Sequence, residues 1–422
     1  MDFPLLSVAR EKGVFVRSLT DTSENHNVIP EDLSNYKVAR GGDLVVNKMK
    51  AWQGSMGIAP CDGIVSPAYY VFDFRIANHA FGQRLLRSKP YVAHFGQASD
   101  GVRVGQWDLS ITGMRQIPVL LPSEEEQAAI VRFLDHWNGR LEKAIRAKRR
   151  VIALLQEQKQ AIIHRAVTRG IDPHVKLKDS GIPWLGEIPE HWEVRRAKQV
   201  CSRIIDCKNR TPDLVPSGEF TVVRTTNIRH GRFNIKGSYP TNRRFYDIWT
   251  ERGAPRVGDV FFTREAPAGE ACMVPDLENL CMGQRMMYFR PNPDLFDPEF
   301  LLMSIYGPVV RTYLQHAVNG STVGHLRLGQ VSAIPLLWCP VSEQEKIVEH
   351  INLESAPLTT AIARYEREIT LLREYRTRLT ADVVTGKLDV RAAAAQLPEK
   401  SPEDPTAAPD LSEEETEIEE IG

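Results

Sequence analysis

Two short strings in the sequence come closest to catalytic motifs. Methyl transfer to the amino group of adenine uses an Asn/Asp-Pro-Pro-aromatic string, and residues 297–300 read Asp-Pro-Glu-Phe, with Glu299 where the second proline belongs. Binding of ATP phosphates uses a Gly-x-x-x-x-Gly-Lys-Ser/Thr loop. Gly386 and Lys387 are followed by Leu388, and alanine replaces the glycine required five residues earlier. Neither string has the groups that its chemistry needs, so the sequence predicts no catalytic activity of its own.

The histidines and cysteines do not have the spacing of metal ligands. The 11 histidines include no His-x-x-x-His or His-Glu pair, and the six cysteines include no Cys-x-x-Cys pair. Structural and catalytic zinc sites use such spacings, and disulfide frameworks belong to short secreted chains. The sequence therefore predicts no metal, no cofactor, and cysteines that are reduced and structural.

Length and composition are typical of a chain with several domains. The 422 residues fit two to four domains. No apolar run reaches the 18 or more residues of a membrane span, and the N-terminal residues lack the basic-then-apolar pattern of a signal peptide. We therefore expect a cytoplasmic protein with no membrane partner.

The net charge of −1 hides an uneven distribution. From Glu399 onward the chain has ten acidic residues and one lysine, so residues 1–398 have a net charge of about +8. The acidic segment has no hydrophobic periodicity, which is typical of disorder. A basic body indicates a polyanionic partner, but an ordinary surface with a solubilising tail remains an equal alternative on charge alone.

One long segment of the sequence occurs twice. Residues 117–173 align without a gap onto residues 334–390, and 18 of the 57 aligned positions are identical. Identical pairs include Ile-Pro at 117–118 and 334–335 and Glu-Gln at 126–127 and 343–344. The period of 217 residues excludes a solenoid, whose units have roughly 20 to 50 residues. The repeat predicts two copies of a domain-plus-helix module with pseudo-two-fold symmetry.

Each repeated segment predicts helices. Residues 122–126 and 340–344 are helix starts, with a serine that can cap and acidic residues in the first turn. Gly139 and Pro357 interrupt the apolar stripes. We therefore expect a short helix followed by a long one of about 28 residues, which spans roughly 42 Å. The stripe positions predicted to pair the helices are Ile130, Leu134, Leu141, Ile145, Ile152, Leu155, Ile347, Ile351, Leu358, Ile362, Ile369 and Leu372.

Two matching stripes in one chain favour pairing with each other as a coiled coil. A single stripe of this kind usually indicates only a helix that faces a core, and this alternative remains open. If the two halves are related by a two-fold axis, the helices run antiparallel. A paired rod of fixed length would then separate two globular domains.

The two globular segments share short motifs. Arg-x-Gly-Asp followed by an apolar strand occurs at 40–43 and again at 256–259. A glycine-flanked loop at 101–105 corresponds to another at 320–324. These matches predict two domains of one fold whose loops have diverged, as expected if the two domains recognise different things.

Several strings resemble the specificity subunits of type I restriction-modification enzymes. They are SGIPWLGEIPEHW at 180–192, the Pro-x-x-Glu-Gln helix starts, and NKMKAWQG at 47–54. The resemblance extends to about residue 392, in the family's order of recognition domain, helix, recognition domain, helix. It implies a non-catalytic subunit whose two domains each read half of a split DNA sequence, while the helices set the spacer.

The resemblance also implies the domain plan and the partners. We expect an α+β fold with two mixed α/β target recognition domains separated by two long antiparallel coiled-coil helices. The predicted segments are recognition domains at 1–116 and 174–333, helical spacers at 117–173 and 334–392, and an acidic disordered tail at 393–422. The implied partners are double-stranded DNA, two modification (methyltransferase) subunits and, through the complex, restriction subunits.

Residues for DNA contact are predicted from side-chain chemistry. Base edges are read by Arg, Lys, Asn and Gln, and a wider set of donors binds phosphates. Each candidate has a structural alternative, since Trp52 could pack in the domain and an arginine beside a strand is often only solvated. The candidates are Lys48, Lys50, Trp52 and Arg103 in the first domain, and Arg224, Thr225, Asn227, Arg229 and Arg264 in the second.

The N-terminal domain departs from the family pattern. The string at 180–192 precedes the strand at 220–223 by about 40 residues, whereas the matching Leu-Leu-Ser-Val at 5–8 is almost at the start. About 37 residues of the first domain are therefore expected to be missing, through a mis-set start or a truncation. A coiled-coil scaffold that binds DNA or protein without sequence specificity, or an inactive relic, is the alternative function.

The helical spacer gives a first prediction. Deleting one heptad from both long helices should shorten the spacer of the DNA target and leave both half-sites unchanged, because the helices alone set the separation. Sequencing of the methylated sites in a host that expresses the shortened chain would measure this. An unchanged spacer would show that the helices are not a ruler.

Overall fold

The computed structural model describes residues 3–17, 33–103, 106–265, 267–318 and 325–398. The chain forms two compact units. Unit 1 comprises Met1–Arg149 and Glu366–Gly422, and unit 2 comprises Arg150–Tyr365. The units therefore differ from the predicted segments, because each long helix contributes one part to each unit.

The described part of residues 1–116, all in unit 1, contains short strands and three helices. The strands are β1 (Leu6–Ala9), β2 (Gly13–Val16), β3 (Lys37–Ala39), β4 (Leu44–Asn47), β5 (Met56–Ile58), β6 (Gly63–Val65), β7 (Tyr69–Phe72), β8 (Ser99–Arg103) and β9 (Gln106–Leu109). The helices are α1 (His79–Leu86), α2 (Lys89–Gln97) and α3 (Ile111–Met114). A 3-10 turn, Ala51–Gln53, lies between β4 and β5.

The central strand of unit 1 is β4. It pairs antiparallel with β5 and β7, and further pairs are β1 with β2, β3 with β6, and β8 with β9. Val45 and Val46 of β4 are fully buried, as expected for an apolar strand with neighbours on both sides. Phe81, Leu85 and Phe95 of α1 and α2 share its core.

Helix α4 (Glu124–Arg169) follows with 46 residues, and unit 2 then begins with strand-rich structure. Its strands are β10 (Leu177–Asp179), β11 (Glu187–Pro189), β12 (Glu193–Arg196), β13 (Cys201–Asp206), β14 (Phe220–Val223), β15 (Ile228–Arg229), β16 (Arg232–Phe233), β17 (Tyr239–Thr241), β18 (Val260–Thr263), β19 (Ala271–Met273), β20 (Leu280–Met282), β21 (Met286–Pro291) and β22 (Pro335–Trp338). Its shorter helices are α5 (Ala197–Val200), α6 (Arg243–Thr250), α7 (Pro298–Ile305), α8 (Pro308–Val318) and α9 (Leu328–Ser332).

Unit 2 has the same central arrangement with an added strand. Strand β18 pairs antiparallel with β19 and β21, and β13 extends the sheet beyond β21. A second sheet has the order β17-β14-β20, and β12 pairs with β22. Every residue of β18 is buried, and Phe262 and Phe289 pack in the core with α7 and α8.

The chain continues with α10 (Val341–Val384), a helix of 44 residues, and α11 (Arg391–Ala395). The expected break near Gly139 and Pro357 is wrong, because α4 and α10 each run through that position without interruption. A proline inside a helix frees the carbonyl four residues earlier. Here that carbonyl belongs to Leu353, which is 71% exposed, so water can satisfy it.

All twelve positions predicted for helix pairing are buried or half-buried. In unit 1, Glu142 of α4 accepts a hydrogen bond from Arg376 of α10 at 3.2 Å, and Lys148 contacts Glu368 at 2.5 Å. Partner numbers fall along α10 as they rise along α4, so these parts of the helices are antiparallel. In unit 2, Lys159 of α4 donates to Thr359 of α10 at 3.0 Å.

The repeated Arg-x-Gly-Asp string forms the same turn in both units. In unit 1 the Asp43 carboxylate accepts a hydrogen bond from the backbone N–H of Arg40 at 2.8 Å. In unit 2 the Asp259 carboxylate accepts one from the backbone N–H of Arg256 at 2.9 Å. Gly42 and Gly258 have φ of 99° and 90°, a conformation that glycine adopts without strain. The turn starts the central strand of each unit, which confirms that this part of the sequence repeat is a repeat of structure.

The repeated Glu-Gln string also has one role. The Gln127 amide in unit 1 accepts from the backbone N–H of Asn78, the residue that caps α1, at 3.3 Å. The Gln344 amide in unit 2 accepts from the N–H of Asp297, which caps α7, at 2.8 Å. Each glutamine therefore holds the start of a long helix against the cap of a shorter helix.

The glutamate of this string holds the 180–192 segment in unit 2. Glu343 accepts from the Trp192 indole at 3.0 Å and contacts the His191 ring at 2.8 Å. The Trp192 side chain is fully buried in the core. The end of the segment that carried much of the family resemblance thus packs against the start of α10.

The predicted start of the acidic tail at residue 393 is wrong. Residues 393–395 belong to α11, and Val390, Ala394 and Leu397 pack into the core of unit 1. Their small and apolar side chains gain from burial, whereas the acidic residues begin only at Glu399, outside the described residues. Among the residues that the structure describes, no helix is both long and apolar enough to cross a bilayer.

The buried glutamine of unit 2 gives a prediction about stability. Gln344 is fully buried and also donates to the carbonyls of Cys339 and Leu295 at 2.7 and 3.0 Å. Gln344→Ala should lower the free energy of unfolding by about 1–3 kcal/mol, because it leaves buried backbone groups without partners. Urea denaturation measures this. The control Gln156→Ala, on an exposed face of α4, should change it by no more than about 0.5 kcal/mol, and equal effects would contradict the role of Gln344.

Candidate nucleic-acid interface

One position after the central strand is held identically in the two units. In unit 1, the backbone N–H of Lys48 donates to the carbonyl of Ala68 at 3.1 Å, and the carbonyl of Lys48 accepts from the backbone N–H of Leu109 at 2.9 Å. In unit 2, Arg264 donates its N–H to the Arg285 carbonyl at 2.9 Å, and its own carbonyl accepts from the Leu326 N–H at 3.0 Å. Lys48 and Arg264 were both candidates for DNA contact. Their backbone hydrogen bonds show that they occupy equivalent positions in the two units.

The site of unit 1 is basic and aromatic. The Lys48 ammonium lies 4.8 Å from the centre of the Tyr70 ring, and the Lys37 ammonium lies 5.8 Å from the same ring. Burial, and then repulsion from Lys48, lower the pKa of Lys37. Lys50 is exposed on the loop that follows. Two lysines beside one aromatic ring, with a third on the next loop, form an arrangement that can attract phosphate groups.

Trp52 has a packing role. Its indole N–H donates to the Met49 carbonyl at 3.0 Å, and its ring lies 5.1 Å from that of Trp107 on β9. The backbone of Arg103 lies in β8, but its side chain lies outside the described residues. The predicted glycine-flanked loops lie partly (101–105) or wholly (320–324) outside them.

The site of unit 2 begins with a buried ion pair. The Arg264 guanidinium contacts the Asp206 carboxylate at 2.6 Å, and the two side chains are 10% and 16% exposed. Burial raises the pKa of Asp206, although Arg264 acts in the opposite direction. Another terminal nitrogen of Arg264 lies 3.4 Å from His325 Nε2, and its Nε is buried without a hydrogen-bond partner in the described residues. Arg264 therefore shapes the floor of the site and is not exposed on its surface.

A second ion pair lies beside the first. Arg285 Nε contacts Glu265 at 3.0 Å, and His325 Nδ1 lies 3.5 Å from the same carboxylate oxygen. Because a guanidinium can only donate, Nε2 of His325 can take only the acceptor role in this contact with Arg264. The two pairs border a cavity of about 490 Å³. The residues that line it are Asp206, Asn209, Arg264, Glu265, Gln284, Arg285, His325, Arg327 and Leu328.

The remaining candidates of unit 2 lie around the 3-10 turn Thr225–Asn227. Arg224 and Arg229 are exposed there, and Thr225 is half-buried. The prediction for Asn227 is wrong, because its side chain is fully buried. It accepts from the Arg224 N–H at 2.7 Å and donates to the carbonyls of Asn234 and Lys236 at 2.7 and 2.9 Å. Both amide hydrogens and the amide oxygen are therefore engaged within the fold.

Several residues of these sites were not predicted from the sequence. Asp206, Glu265, Arg285 and His325 come from four separate loops or strand ends, so their proximity has no local pattern. The repeat does contain a signal, because the offset of 217 that relates the long helices also relates Ala68 to Arg285. Comparing the units at that offset would have shown arginine where the first unit has alanine.

Comparison with solved structures supports the fold. A chain from a structure entitled "Structural basis underlying complex assembly and conformational transition of the type I R-M system" matches with a TM-score of 0.58 and 16% identity over 92% of both chains. The HsdS subunit from Thermoanaerobacter tengcongensis matches with a TM-score of only 0.38, which supports no conclusion. The predicted α+β class with two long helices is confirmed.

Comparison with curated sequences found a relative that is also named as part of a type I restriction system. No protein-family model matches the chain. It is 22% identical over 292 residues to the "Putative type I restriction enzyme MjaX specificity subunit" of Methanocaldococcus jannaschii. The match covers 68% of this chain and 63% of that relative, so the chain spans less than two thirds of its length. The resemblance identified from the sequence motifs is confirmed by this relative.

The buried ion pair gives a prediction that separates its structural role from DNA contact. Arg264→Ala leaves the Asp206 carboxylate buried without its cation, so the free energy of unfolding should fall by about 3 kcal/mol. The control Arg243→Ala removes an arginine that is 74% exposed beside Asp247, and should change stability by no more than about 0.5 kcal/mol. Urea denaturation of both variants measures the difference. A small effect for Arg264→Ala would show that the pair is solvated.

Proposed function

We propose that this chain is the DNA-specificity subunit of a type I restriction-modification complex. It carries out no chemistry itself. Unit 1 reads one half of a split double-stranded DNA sequence and unit 2 reads the other half. Modification subunits methylate adenine at the target, and restriction subunits join through the complex. The cytoplasm, where the DNA of a prokaryotic host lies, is the expected location.

One observation supports this proposal above the others. The residue after the central strand is held by the same backbone hydrogen bonds in both units, yet its surroundings differ in chemistry. Unit 1 places lysines beside aromatic rings, and unit 2 places arginines beside carboxylates and a histidine. A common framework with different side chains is what two readers of unlike sequences require.

The long helices offer surfaces that fit protein partners. In unit 1, Leu371 and Tyr375 of α10 are 53% and 51% exposed. In unit 2, Leu154 of α4 and Leu353 of α10 are 56% and 71% exposed. Leu371 and Tyr375 are one helical turn apart, and neighbouring exposed apolar residues of this kind are typical of a surface that a partner covers. We propose that two modification subunits bind to these helices.

The proposal is tested by expressing the chain with its modification subunit and sequencing methylated adenines across the host genome. A split motif with a fixed spacer is the expected result. The modification subunit expressed alone is the matched control and should leave no such motif, because it lacks a reader. Absence of a motif, with both proteins folded and associated, would contradict the proposal.

Binding measurements separate the proposal from a scaffold without sequence specificity. Affinity for the target should exceed affinity for scrambled DNA, and both should fall steeply with salt because lysines and arginines release counterions from phosphates. Equal affinities for the two sequences would favour the scaffold.

A further inference from the structure

The backbone of Arg285 has an unusual conformation. Its φ is +74°, in the left-handed region that residues other than glycine rarely adopt. Neighbouring groups enforce it, since its N–H donates to the Cys207 sulfur at 3.1 Å and its carbonyl accepts from the Arg264 N–H at 2.9 Å. Residues kept in such conformations occur preferentially at binding and catalytic sites. The strained backbone therefore makes Arg285 a candidate for a binding role.

The side chain of Arg285 is held but remains accessible. Glu265 contacts its Nε at 3.0 Å and is itself only 17% exposed, whereas the Arg285 side chain is 46% exposed. Contact at Nε orients the planar guanidinium and leaves the edge formed by the two terminal nitrogens for another acceptor. This edge matches the O6 and N7 acceptors of guanine in the major groove, which arginine binds as a fork.

The charges around Arg285 favour a base over a phosphate. Each arginine of the inner site faces a carboxylate, Arg264 with Asp206 and Arg285 with Glu265. The two carboxylates neutralise these two arginines locally, which weakens their attraction for a phosphate group but leaves their donors able to bind the neutral edge of a base. The lysine cluster of unit 1 has the opposite character, because Lys37 and Lys48 place two positive charges beside one ring.

We propose that Arg285 is a specificity-determining residue that reads a guanine in the half-site of unit 2, and that Glu265 is its positioning residue. The inference rests on the proposed function and adds the base and the side chain that recognises it. The equivalent position of unit 1 is Ala68, which offers no hydrogen bond from its side chain. The half-site of unit 1 is therefore not read by an arginine at this position.

The test uses the complete complex and the target found by methylation sequencing. Each guanine of the unit 2 half-site is replaced in turn by 7-deazaguanine, which lacks the N7 acceptor. One replacement should weaken binding of the unmodified protein, by less than the about 5- to 150-fold expected for loss of the whole bidentate contact, because O6 remains. Arg285→Ala should bind the normal target correspondingly less tightly and show no further loss with that 7-deazaguanine.

Two variants guard against an effect on folding. Arg285→Gly removes the side chain and adopts a positive φ without strain, so it relieves the backbone strain that Arg285→Ala keeps, and it should lose the same discrimination. Arg327→Ala removes an exposed arginine at the rim of the same cavity, and should keep the 7-deazaguanine effect. Loss of the effect in Arg327→Ala would assign the guanine to the rim and overturn the proposal.

Glu265→Gln tests the positioning role. It keeps the size of the side chain but removes the charge that orients Arg285, so the 7-deazaguanine effect should shrink while affinity for unrelated DNA stays equal or rises. An undiminished effect would show that Glu265 does not position the arginine.

The outcomes separate this inference from the proposed function. If the unmodified protein directs no methylation motif, the proposed function fails. If the motif is present but Arg285→Ala and Arg285→Gly keep every guanine effect, only the reading role of Arg285 fails. If these variants lose affinity equally for all sequences, Arg285 is a phosphate contact, and the inference is overturned.

Discussion

The peptide hydrogen bonds around Lys48 and Arg264 hold each candidate site in place. They tie the end of the central strand to two other segments of its unit, so that three stretches distant in sequence meet at one residue. Backbone bonds make no demand on the side chains at these positions. The framework can therefore stay constant while the side chains change, as the lysine in one unit and the arginine in the other show.

The two sites balance charge differently, and this has consequences for recognition. Lysines that share one aromatic ring create a positive field, which acts over several ångströms and is weakened by salt. The arginines of unit 2 face carboxylates at 2.6 and 3.0 Å, so much of their charge is neutralised locally. What remains is a set of oriented donors. Under the proposed function, the first arrangement would favour affinity for any nucleic acid, and the second would favour discrimination between bases.

The sequence predicted the parts of the fold that depend on local repetition. The apolar stripe of α4 and α10 was predictable because each position faces a partner at a regular spacing, and all twelve pairing positions are buried or half-buried. The break at Pro357 was wrongly expected, since the cost of proline depends on whether water reaches the freed carbonyl, which composition does not reveal. Asn227 and Arg264 both have the chemistry of DNA contacts. Asn227 is instead used by a local turn, with partners 3, 7 and 9 residues away, whereas the partner of Arg264, Asp206, is 58 residues away and no spacing rule covers it. The positive φ of Arg285 likewise arises from tertiary contacts.

The buried glutamines explain how recognition and the helices can be coupled within each unit. Gln127 and Gln344 bond the backbone at the caps of α1 and α7, while lying in the first turn of the long helices. Helices α1 and α7 pack in the same cores as the central strands, from whose ends the sites extend. A buried amide held at two or more atoms cannot slide without losing hydrogen bonds that no water replaces. Within a unit, a shift of the candidate site relative to the start of its long helix therefore carries an energetic cost. This coupling is what a reader needs if its helix is to report where the reader lies on DNA.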